Sequence, residues 1–410
     1  MRKNFSPMRR PGVWPGLLFL LACLALILSG CASARLARAR AEFYRGDTGQ
    51  AASVLENADL VSNRDRLLFF MEKGLILHQA GEYKKSIQAL RSAADLLGEQ
   101  EVISIGHQGA SLVTSESVVA YPGEYEERLL VHTYLMMNYL LSGRRDDALV
   151  EAKQSLEVIS DHPSCKTDYF SRALIAHCYE ALDEINDAYI EYKKLANDMP
   201  DPDAVMGRLY AMALFLGFYD EAQNWGQHLS AKEKKEAVKP AAGELILFIS
   251  QGKGPIKKSV GFVAPKSIRF SIPEYRDRTK RYMNFNIMTA NYSPDATAIT
   301  TGLGTALRAS LKARLKKIIA KETARVVAKE AIARKIDNPL AEILVRIAFF
   351  ATEKADTRCW KTLPAYLTLV RVPLSQGSHR LSIRTAGGDI ELPEITVIPG
   401  RHYYYAAARF

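Results

Sequence analysis

Residues 70–94 read FMEKGLILHQAGEYKKSIQALRSAA, and this stretch decides the fold of the amino-terminal half. Two segments with a helical apolar pattern flank Gly81, a residue type that adopts positive φ and ends helices. Gly74 and Ser86 are small, so the two helix axes can approach closely, whereas Tyr83 fills the space between them. The pattern predicts an antiparallel helix pair. Since one such pair cannot bury its apolar face alone, neighbouring pairs are expected.

The same order of turn, small and large residues recurs at the period of a tetratricopeptide (TPR) repeat. The turn positions are Gly46, Gly81, Gly143, Asp183 and Gly217, which lie 35, 62, 40 and 34 residues apart. The other signature positions hold small residues or tyrosine: Ala51, Gly74, Tyr83, Ala148, Ala188, Tyr219 and Ala222. These five matches predict an all-α, TPR-like superhelix over residues 31–235. A non-repeating helical bundle is the alternative.

The 62-residue interval is longer than one repeat, and the excess falls at about residues 98–127. This stretch is rich in Ser, Gly and β-branched residues, reads unlike a helix, and closes with YPGEYE at 121–126. Insertions in repeat arrays map to loops on one face, which is often the binding face. Residues 98–127 are therefore either a flap that presents Tyr121, Tyr125 and neighbouring glutamates over a groove, or an exposed hairpin or Ω-loop.

Beyond the charged stretch 230–240, the apolar period changes from helical to alternating, which predicts a β-rich domain over residues 236–410. The predicted strands are Glu244–Ser250, 268–272, 283–287, Tyr366–Val372, Arg380–Arg384, Asp389–Leu392, Thr396–Ile398 and Tyr403–Ala407. A helical insertion is expected at about 301–353. Its apolar stripe comprises Leu307, Leu311, Leu315, Ile318 or Ile319, and Val326. The predicted fold class is α+β, with a small antiparallel β-sandwich-like domain after the superhelix.

Residues 1–30 have the pattern of a lipoprotein signal peptide. Four basic residues precede Leu17–Leu28, an apolar run of twelve that is too short for an ordinary membrane span. The run ends in a lipobox, Leu28-Ser29-Gly30-Cys31, which predicts cleavage before Cys31 and acylation of its thiol. Residue 32 is Ala rather than Asp. In a two-membrane bacterium this indicates a lipid-anchored protein on the periplasmic side of the outer membrane.

The formal net charge of +10 is concentrated in two segments rather than spread over the surface. One is the signal peptide. The other is residues 308–335, which hold ten Lys or Arg and only Glu322 and Glu330 as acids. This helix either contacts an anionic surface, such as lipid headgroups or an acidic polymer, or is a solvated helix packed by its Leu/Ile stripe. An exported lipoprotein is not expected to bind nucleic acid.

The sequence predicts no enzyme, no cofactor and no metal site. His162, Cys165, His177 and Cys178 do not have the spacing of a common zinc ligand set. Cys165 and Cys178 could form a disulfide in an oxidising compartment. The enzyme alternative is peptidoglycan cleavage by a glutamate with a raised pKa. The available glutamates are Glu116, Glu124, Glu126 and Glu127.

Asp356, Arg358 and Trp360 stand together before a predicted strand. They could form a ligand site, with Arg358 pairing to a carboxylate and Trp360 stacking on the ligand. The alternative is an internal Asp–Arg bridge under a packed Trp, which would hold the crossover from helix to strand. Both interpretations place the three side chains in one cluster.

The segments GELILFISQGKGPIKK (243–258), ADTRCWKTLPAYLTLVRVPLSQGSH (355–379) and the YPGEYE turn at 121–126 resemble an uncharacterised family of bacterial TPR-containing lipoproteins. The resemblance covers nearly the whole mature chain and implies a periplasm-facing scaffold without assigned catalytic residues. The expected function is a membrane-anchored adaptor whose TPR groove binds other envelope proteins. The alternative is a subunit of an envelope secretion or polysaccharide-export assembly.

Overall fold

The computed structural model describes residues 34–56, 62–106, 120–239, 241–264, 268–279, 281–289, 294–336, isolated positions between 338 and 345, and 355–409. The predicted signal peptide, the lipobox (Leu28, Ser29 and Gly30) and Cys31 lie outside these residues, as does Glu116. Among the described residues, no helix has both the length and the apolarity needed to cross a membrane.

The amino-terminal half consists of helices that pair in sequence order. The helices are α1 (34–45), α2 (Thr48–Val54), α3 (Arg66–Gln79), α4 (Tyr83–Gly106), α5 (Tyr125–Leu141), α6 (Arg145–Asp161), α7 (Tyr169–Glu180), α8 (Ile185–Asp198), α9 (Asp203–Phe215), α10 (Tyr219–Gly226) and α11 (Ala231–Ala237). A 3-10 turn, Pro163–Thr167, precedes α7. This half is a TPR-like array, so the predicted α+β class with an amino-terminal helical superhelix is confirmed.

The turn between the two helices of each pair has a residue with positive φ. The values are 91° at Gly46, 77° at Gly81, 74° at Gly143 and 76° at Gly217. Asp183 occupies the same position in the fourth pair with φ 60°, although left-handed backbone is costly for a residue with a Cβ. The spacing of these five residues in the sequence therefore correctly predicted where the turns between paired helices lie.

Helix α4 is longer than the sequence pattern indicates. It continues to Gly106, and α5 begins at Tyr125, so the ends of the 98–127 segment are helical. The prediction that this whole segment is non-helical is wrong for both ends. Residues 107–119 lie outside the described part of the chain. Glu124 begins α5 through a capping box with Glu127, which converts the last residues of the YPGEYE turn into the first turn of a helix.

The carboxyl-terminal half contains eleven described strands and one long helix. The strands are β1 (Gly243–Lys253), β2 (Ile256–Ala264), β3 (Ile268–Arg276), β4 (Phe285–Thr289), β5 (Thr297–Gly302), β6 (Pro364–Leu374), β7 (Gly377–His379), β8 (Leu381–Thr385), β9 (Gly388–Glu391), β10 (Ile395–Val397) and β11 (Arg401–Arg409). Helix α12 (Leu303–Ala333) lies between β5 and β6. The apolar pattern of the sequence did not indicate β2, β5 or β7.

The main sheet has the order β11-β1-β6-β5. Strand β6 is antiparallel to both β1 and β5, but β1 and β11 pair in parallel, from Gly243↔Arg401 to Gln251↔Arg409. The prediction of a purely antiparallel domain is therefore wrong for this one pairing. A second layer, β4-β8-β9, packs against the main sheet, while β2 and β3 form an antiparallel hairpin and β7 pairs with β10 in a separate antiparallel ladder.

The main sheet packs on the inner face of the array, defined here as the side formed by the first helices α3, α5, α7 and α9. Strand β11 contacts α3 and α5, and β5 contacts α7 and α9. The burial of the helices agrees with this arrangement. Thirteen of the 17 residues of α5 are buried, whereas only five of the 17 residues of its partner α6 are buried. The inner helices are thus covered on both sides.

Side chains of β1 divide between two cores according to their parity. Ile246 and Phe248 join the core shared with the helices, whereas Leu245, Leu247 and Ile249 join the core shared with β8 and β4. Since both faces of β1 are buried, its sequence is a continuous apolar run rather than an alternating one. The helical and β-rich regions therefore share a continuous hydrophobic core across the predicted boundary near residue 235.

Candidate functional site

The loop that precedes β6 lies across the inner face and is held by carboxylates of the inner helices. Glu72 on α3 accepts hydrogen bonds from the backbone N–H groups of Lys361 (2.9 Å) and Thr362 (3.2 Å). Glu127 on α5 accepts the N–H of Trp360 at 2.7 Å. Arg40 on α1 neutralises Glu72 through an ion pair of 2.6 Å. The array thus binds an extended segment of its own chain where a partner segment was expected.

Asp356, Arg358 and Trp360 form an internal cluster in this loop. Arg358 pairs with Asp356 at 2.7 Å and also reaches Asp65, the residue before α3, at 3.1 Å. Trp360 is 1% exposed, and its indole N–H donates to Thr362 Oγ1 at 3.1 Å. These contacts match the internal-bridge interpretation of the sequence. They leave the Trp360 ring face closed to any external ligand.

A second group of buried charges joins α5, β2 and α12 where the three segments quoted for the family resemblance meet. Lys257 and Arg314 contact the same Glu124 oxygen at 2.5 and 2.7 Å. Burial alone would raise the pKa of Glu124, but these two cations more than offset it and lower that pKa. Burial would lower the pKa of Lys257, yet Glu124 and Glu127 raise it. We call Glu124, Glu127, Lys257 and Arg314 the junction cluster.

Glu127 connects the junction cluster to the loop. Its Oε2 accepts the Glu124 N–H at 2.9 Å and the Tyr121 hydroxyl at 2.5 Å, while its Oε1 accepts from Trp360. Burial raises the pKa of Glu127, because the carboxylate is removed from water. Burial also raises the pKa of Tyr121, and the negative charge of Glu127 adds to this effect. Tyr121 is therefore a neutral donor inside the protein.

Tyr125 is half-buried and stacks on His162, with ring centroids 3.6 Å apart. Tyr121, by contrast, is only 1% exposed and lies beneath the Arg358 guanidinium, 5.2 Å from its ring centroid. The two tyrosines therefore do not form an exposed binding flap. They anchor the start of α5 within the fold.

A third polar group, which the sequence analysis missed, joins the last repeats to the sheet. Arg371 on β6 bonds to Glu180 on α7 (2.7 Å) and to Glu244 on β1, and Arg208 on α9 reaches Glu244 at 2.9 Å. Burial would raise the pKa of Glu244, but Arg371 and Arg208 lower it to about 2. Glu244 lies in the segment 243–258 quoted above. An acidic residue at the start of that apolar run was the only sign in the sequence of this buried polar group.

Glu180, Glu244 and His402 have oxygen and nitrogen atoms within 4.8 Å of one another, which is ligand-like spacing. Arg371 and Arg208 already supply two positive charges to the two carboxylates. A divalent cation would have to displace both guanidinium groups from their hydrogen bonds. The geometry therefore fits an internal ion-pair network better than a metal centre.

Three of the glutamates considered for glycosidic chemistry, Glu124, Glu126 and Glu127, are described by the structure and are not arranged for it. Glu124 and Glu127 belong to the junction cluster, and Glu126 is completely buried. Burial raises the pKa of Glu126 well above its usual value, and Asp168 adds to the shift. However, a general acid must be within reach of its substrate, and the side chains of these three residues are at most 2% exposed. Cys165 and Cys178 are buried free thiols, so the disulfide that the sequence left open is not formed.

The repeat-signature residues occupy helix contacts. Ala51, Ala148, Ala188 and Ala222 are at most 2% exposed. A Cβ added to Gly74 would lie 2.5 Å from the Leu90 side chain, so α3 and α4 are in close contact there. Tyr83 packs on His78, with ring centroids 5.8 Å apart. Tyr219 differs, because it is 72% exposed and does not fill the space between helices.

An open cavity of about 290 Å³ lies between α4, α5 and α6 on the outer side of the array. Its wall includes Arg91, Asp95, Arg128, His132 and Glu151. His132 is already bonded to Glu151 at 2.7 Å. Because the wall carries both signs of charge, it does not define one class of ligand.

About half of the chain is similar to several solved structures, TPR-like repeats among them. Kinesin light chain TPR-like repeats from Podosopora anserina are 16% identical, cover 51% of this chain and 95% of their own, and give a TM-score of 0.35. MamA from Desulfovibrio magneticus RS-1 is 12% identical over 50% of this chain and 92% of its own, with a TM-score of 0.33. The apo form of RapI is 14% identical over 50% and 56%, respectively, with a TM-score of 0.36. No protein-family model and no curated protein sequence matches the chain.

Proposed function

We propose that this protein is a scaffold of the bacterial cell envelope that binds other envelope proteins. The observation that carries the proposal is the array of helical pairs, because such arrays present extended surfaces for protein contacts. The proposed anchor at the periplasmic side of an outer membrane is supported by the sequence pattern Leu28-Ser29-Gly30-Cys31. An anchor holds the binding surfaces near the membrane and raises the local concentration of membrane-bound partners.

The inner face is excluded as the proposed docking groove, because β1, β5, β6 and β11 cover it. Partners would instead contact the outer helices, the helix-to-helix turns and the open sheet edge. This changes the expected mode of binding, but not the class of function. The buried polar clusters then have a structural role, since they fix the β-rich region within the array.

A second candidate contact is an anionic surface, lipid or polymer, bound by α12. Lys312, Lys316 and Lys317 are exposed on this helix, and Ile319 and Val327 are 45% and 63% exposed. A face with both lysines and apolar side chains suits a membrane interface. Other basic residues of α12 have internal partners: Arg314 pairs with Glu124, and Arg308 pairs with Asp277 at 2.8 Å.

Fractionation and co-purification test the scaffold proposal. In the bacterium that encodes the chain, Cys31→Ser should move the protein from the membrane to the soluble periplasmic fraction, and unchanged retention would contradict the anchor. Full-length wild-type protein should capture envelope proteins at substoichiometric levels. A stoichiometric, detergent-resistant complex would favour an assembly subunit instead. Recovery of the chain without any envelope protein would contradict both versions.

A further inference from the structure

Strand β11 is an edge of the main sheet with an open side. It pairs with β1 over nine consecutive residue pairs. Among the residues that the structure describes, no backbone group pairs with the other side of Arg401–Arg409. Successive residues of a strand direct their N–H and C=O groups to alternate neighbours, so alternate residues of β11 present both groups outward. An unpaired edge of this kind is a template for another strand.

This edge lacks the features that usually block strand addition. Protected edges are short, or carry proline, charge or a bulge. Strand β11 is nine residues long, pairs without a bulge, and has no charged residue from Tyr403 to Ala408. Other strands do have protective features. Strand β3 contains Pro273, and β9 has only four residues, including Asp389 and Glu391.

The opposite edge of the sheet, β5, is shorter and is flanked by helices. It has six residues and contacts α7, α9 and α12. Its Thr301 hydroxyl accepts the backbone N–H of Phe170 at the start of α7, at 2.8 Å. Strand β11 also contacts helices, α3 and α5, so helix contact alone does not separate the two edges. The edges differ in length, and short edge strands resist strand addition, which makes β5 a reference for β11.

Both faces of β11 are fixed by packing. Ala407 lies in the core shared with the second β layer, and Tyr403 and Tyr405 pack against that core. Tyr404 and Ala406 pack against the core shared with the helices, and the Tyr404 hydroxyl lies 3.1 Å from His177 Nε2. Packing thus holds the strand on both faces, whereas its outer edge pairs with no backbone group in the described part of the chain. A preorganised edge lowers the ordering cost of binding.

We propose that an extended segment of a partner protein adds to β11 as a fifth strand of the main sheet. Main-chain hydrogen bonds would supply the affinity, as in other β-augmentation complexes. The segment would be uncharged and rich in β-branched or aromatic residues opposite Tyr403–Ala408. The segment can place an acidic residue beside the exposed Arg401, but the main-chain hydrogen bonds, which do not need that side chain, hold it on the strand. This inference rests on the proposed scaffold function and specifies the mode of partner binding.

Photocrosslinking at both edges of the sheet tests the inference. A photoreactive residue replaces Arg401 beside β11, or Thr297 beside β5, in the full-length protein in intact cells; both positions are exposed. Mass spectrometry then maps the crosslinked segment of the captured protein. A synthetic peptide of that mapped segment is added to purified protein, and hydrogen exchange of the β11 amides is measured. The expected result is a crosslink from position 401 but not from 297, and slower exchange at alternate β11 residues with the peptide.

Three results would overturn the inference. These are equal crosslinking from both edges, crosslinking from 401 only to another copy of this chain, or peptide binding that leaves β11 exchange unchanged. The scaffold proposal is separable from this one. If co-purification yields envelope proteins but position 401 captures none, β-augmentation fails and the scaffold stands. If neither experiment yields a partner, both proposals fail.

Discussion

At the scale of single residues, the turns of the array depend on left-handed backbone. Gly46, Gly81, Gly143 and Gly217 take positive φ without steric cost, but Asp183 takes it with a side chain attached. Asp tolerates this conformation better than most residues, yet less well than Gly. The fourth turn is therefore less favourable than the other four, because the Cβ of Asp183 adds a steric cost at positive φ.

Replacing Asp183 by Gly should therefore raise the free energy of unfolding by roughly 0.5–1 kcal/mol. The converse substitution, Gly143→Ala, should lower it by about 1 kcal/mol. A Cβ on Gly143 would meet no atom within 4 Å, so that loss would come from the backbone alone. Denaturant unfolding of both variants measures the changes. Destabilisation by Asp183→Gly would contradict the account of this turn.

The junction cluster makes Lys257 the most consequential charged residue of β2. Replacing it by Met leaves Glu124 buried with one cation fewer, which should cost about 3 kcal/mol of unfolding free energy. Lys258, the next residue, is exposed, so Lys258→Met should change stability by less than about 0.5 kcal/mol. A double variant, Glu124→Gln with Lys257→Met, should recover part of the loss. Equal effects of the two lysine substitutions would show that Lys257 does not act as a buried ion.

At the scale of elements, the sequence predicted those strands whose apolar residues follow a recognisable pattern. Strand β1 reads as a buried run because both of its faces are covered. Strand β2 was missed because Lys257 points inward to Glu124, whereas a lysine in a pattern is normally taken as solvent-facing. Strand β5 was missed because TAITTG has one large apolar residue. Long-range ion pairs such as Glu124–Lys257 and Glu180–Arg371 have no local signal, so the clusters themselves could not be predicted.

The structure of α12 shows which of its residues pack against the fold and which face solvent. Its packed stripe includes Leu307, Leu311 and Ile318, each at most 7% exposed, whereas Ile319 faces solvent. The apolar stripe in the sequence therefore predicted part of the packed face, which also includes Glu322 and Arg325 at 3% and 1% exposure. It could not predict that Arg314 would leave the basic surface to pair with Glu124, since that partner lies almost two hundred residues earlier.

The exposed lysines of α12 should control binding to anionic vesicles. Changing Lys312, Lys316 and Lys317 to Glu should weaken binding to phosphatidylglycerol vesicles by at least roughly two orders of magnitude, because each lysine near the surface contributes about 1 kcal/mol and the three carboxylates add repulsion. The control triple, Lys232, Lys235 and Lys239 to Glu, alters exposed lysines outside α12. Sedimentation with vesicles measures both. Equal loss in the two triples would assign the effect to net charge rather than to α12.

At the scale of the whole molecule, the main sheet packs on the inner helices of the array, and the buried His78 and the half-buried His402 lie in and beside this interface. Burial lowers the pKa of His78 on α3 to about 4 and that of His402 on β11 to about 4. In the unfolded chain both groups titrate near their ordinary pKa of about 6.5. The unfolded state therefore binds more protons between these values, and stability should fall as the pH decreases from about 6.5 to 4.

Each of these two histidines should contribute roughly 1–2 kcal/mol to the loss of stability between pH 7 and pH 5. The variant His402→Gln should show a shallower pH dependence, because it removes one of the titrating groups. His228 is exposed, so His228→Gln should leave the pH dependence unchanged. Denaturant unfolding at several pH values measures the slopes. A wild-type stability that is constant from pH 7 to pH 5 would contradict the burial of neutral histidines.

The array holds the chain's own β-rich region, and the loop before β6 reports on this arrangement most sensitively. The amides of Trp360, Lys361 and Thr362 lie outside any helix or strand, yet Glu127 and Glu72 accept their hydrogens. Hydrogen exchange of these three amides in the full-length protein is therefore the most direct measurement. Exchange as slow as that of β1 is the predicted result. Exchange at the rate of an unfolded peptide, while α3 and α5 stay protected, would contradict it.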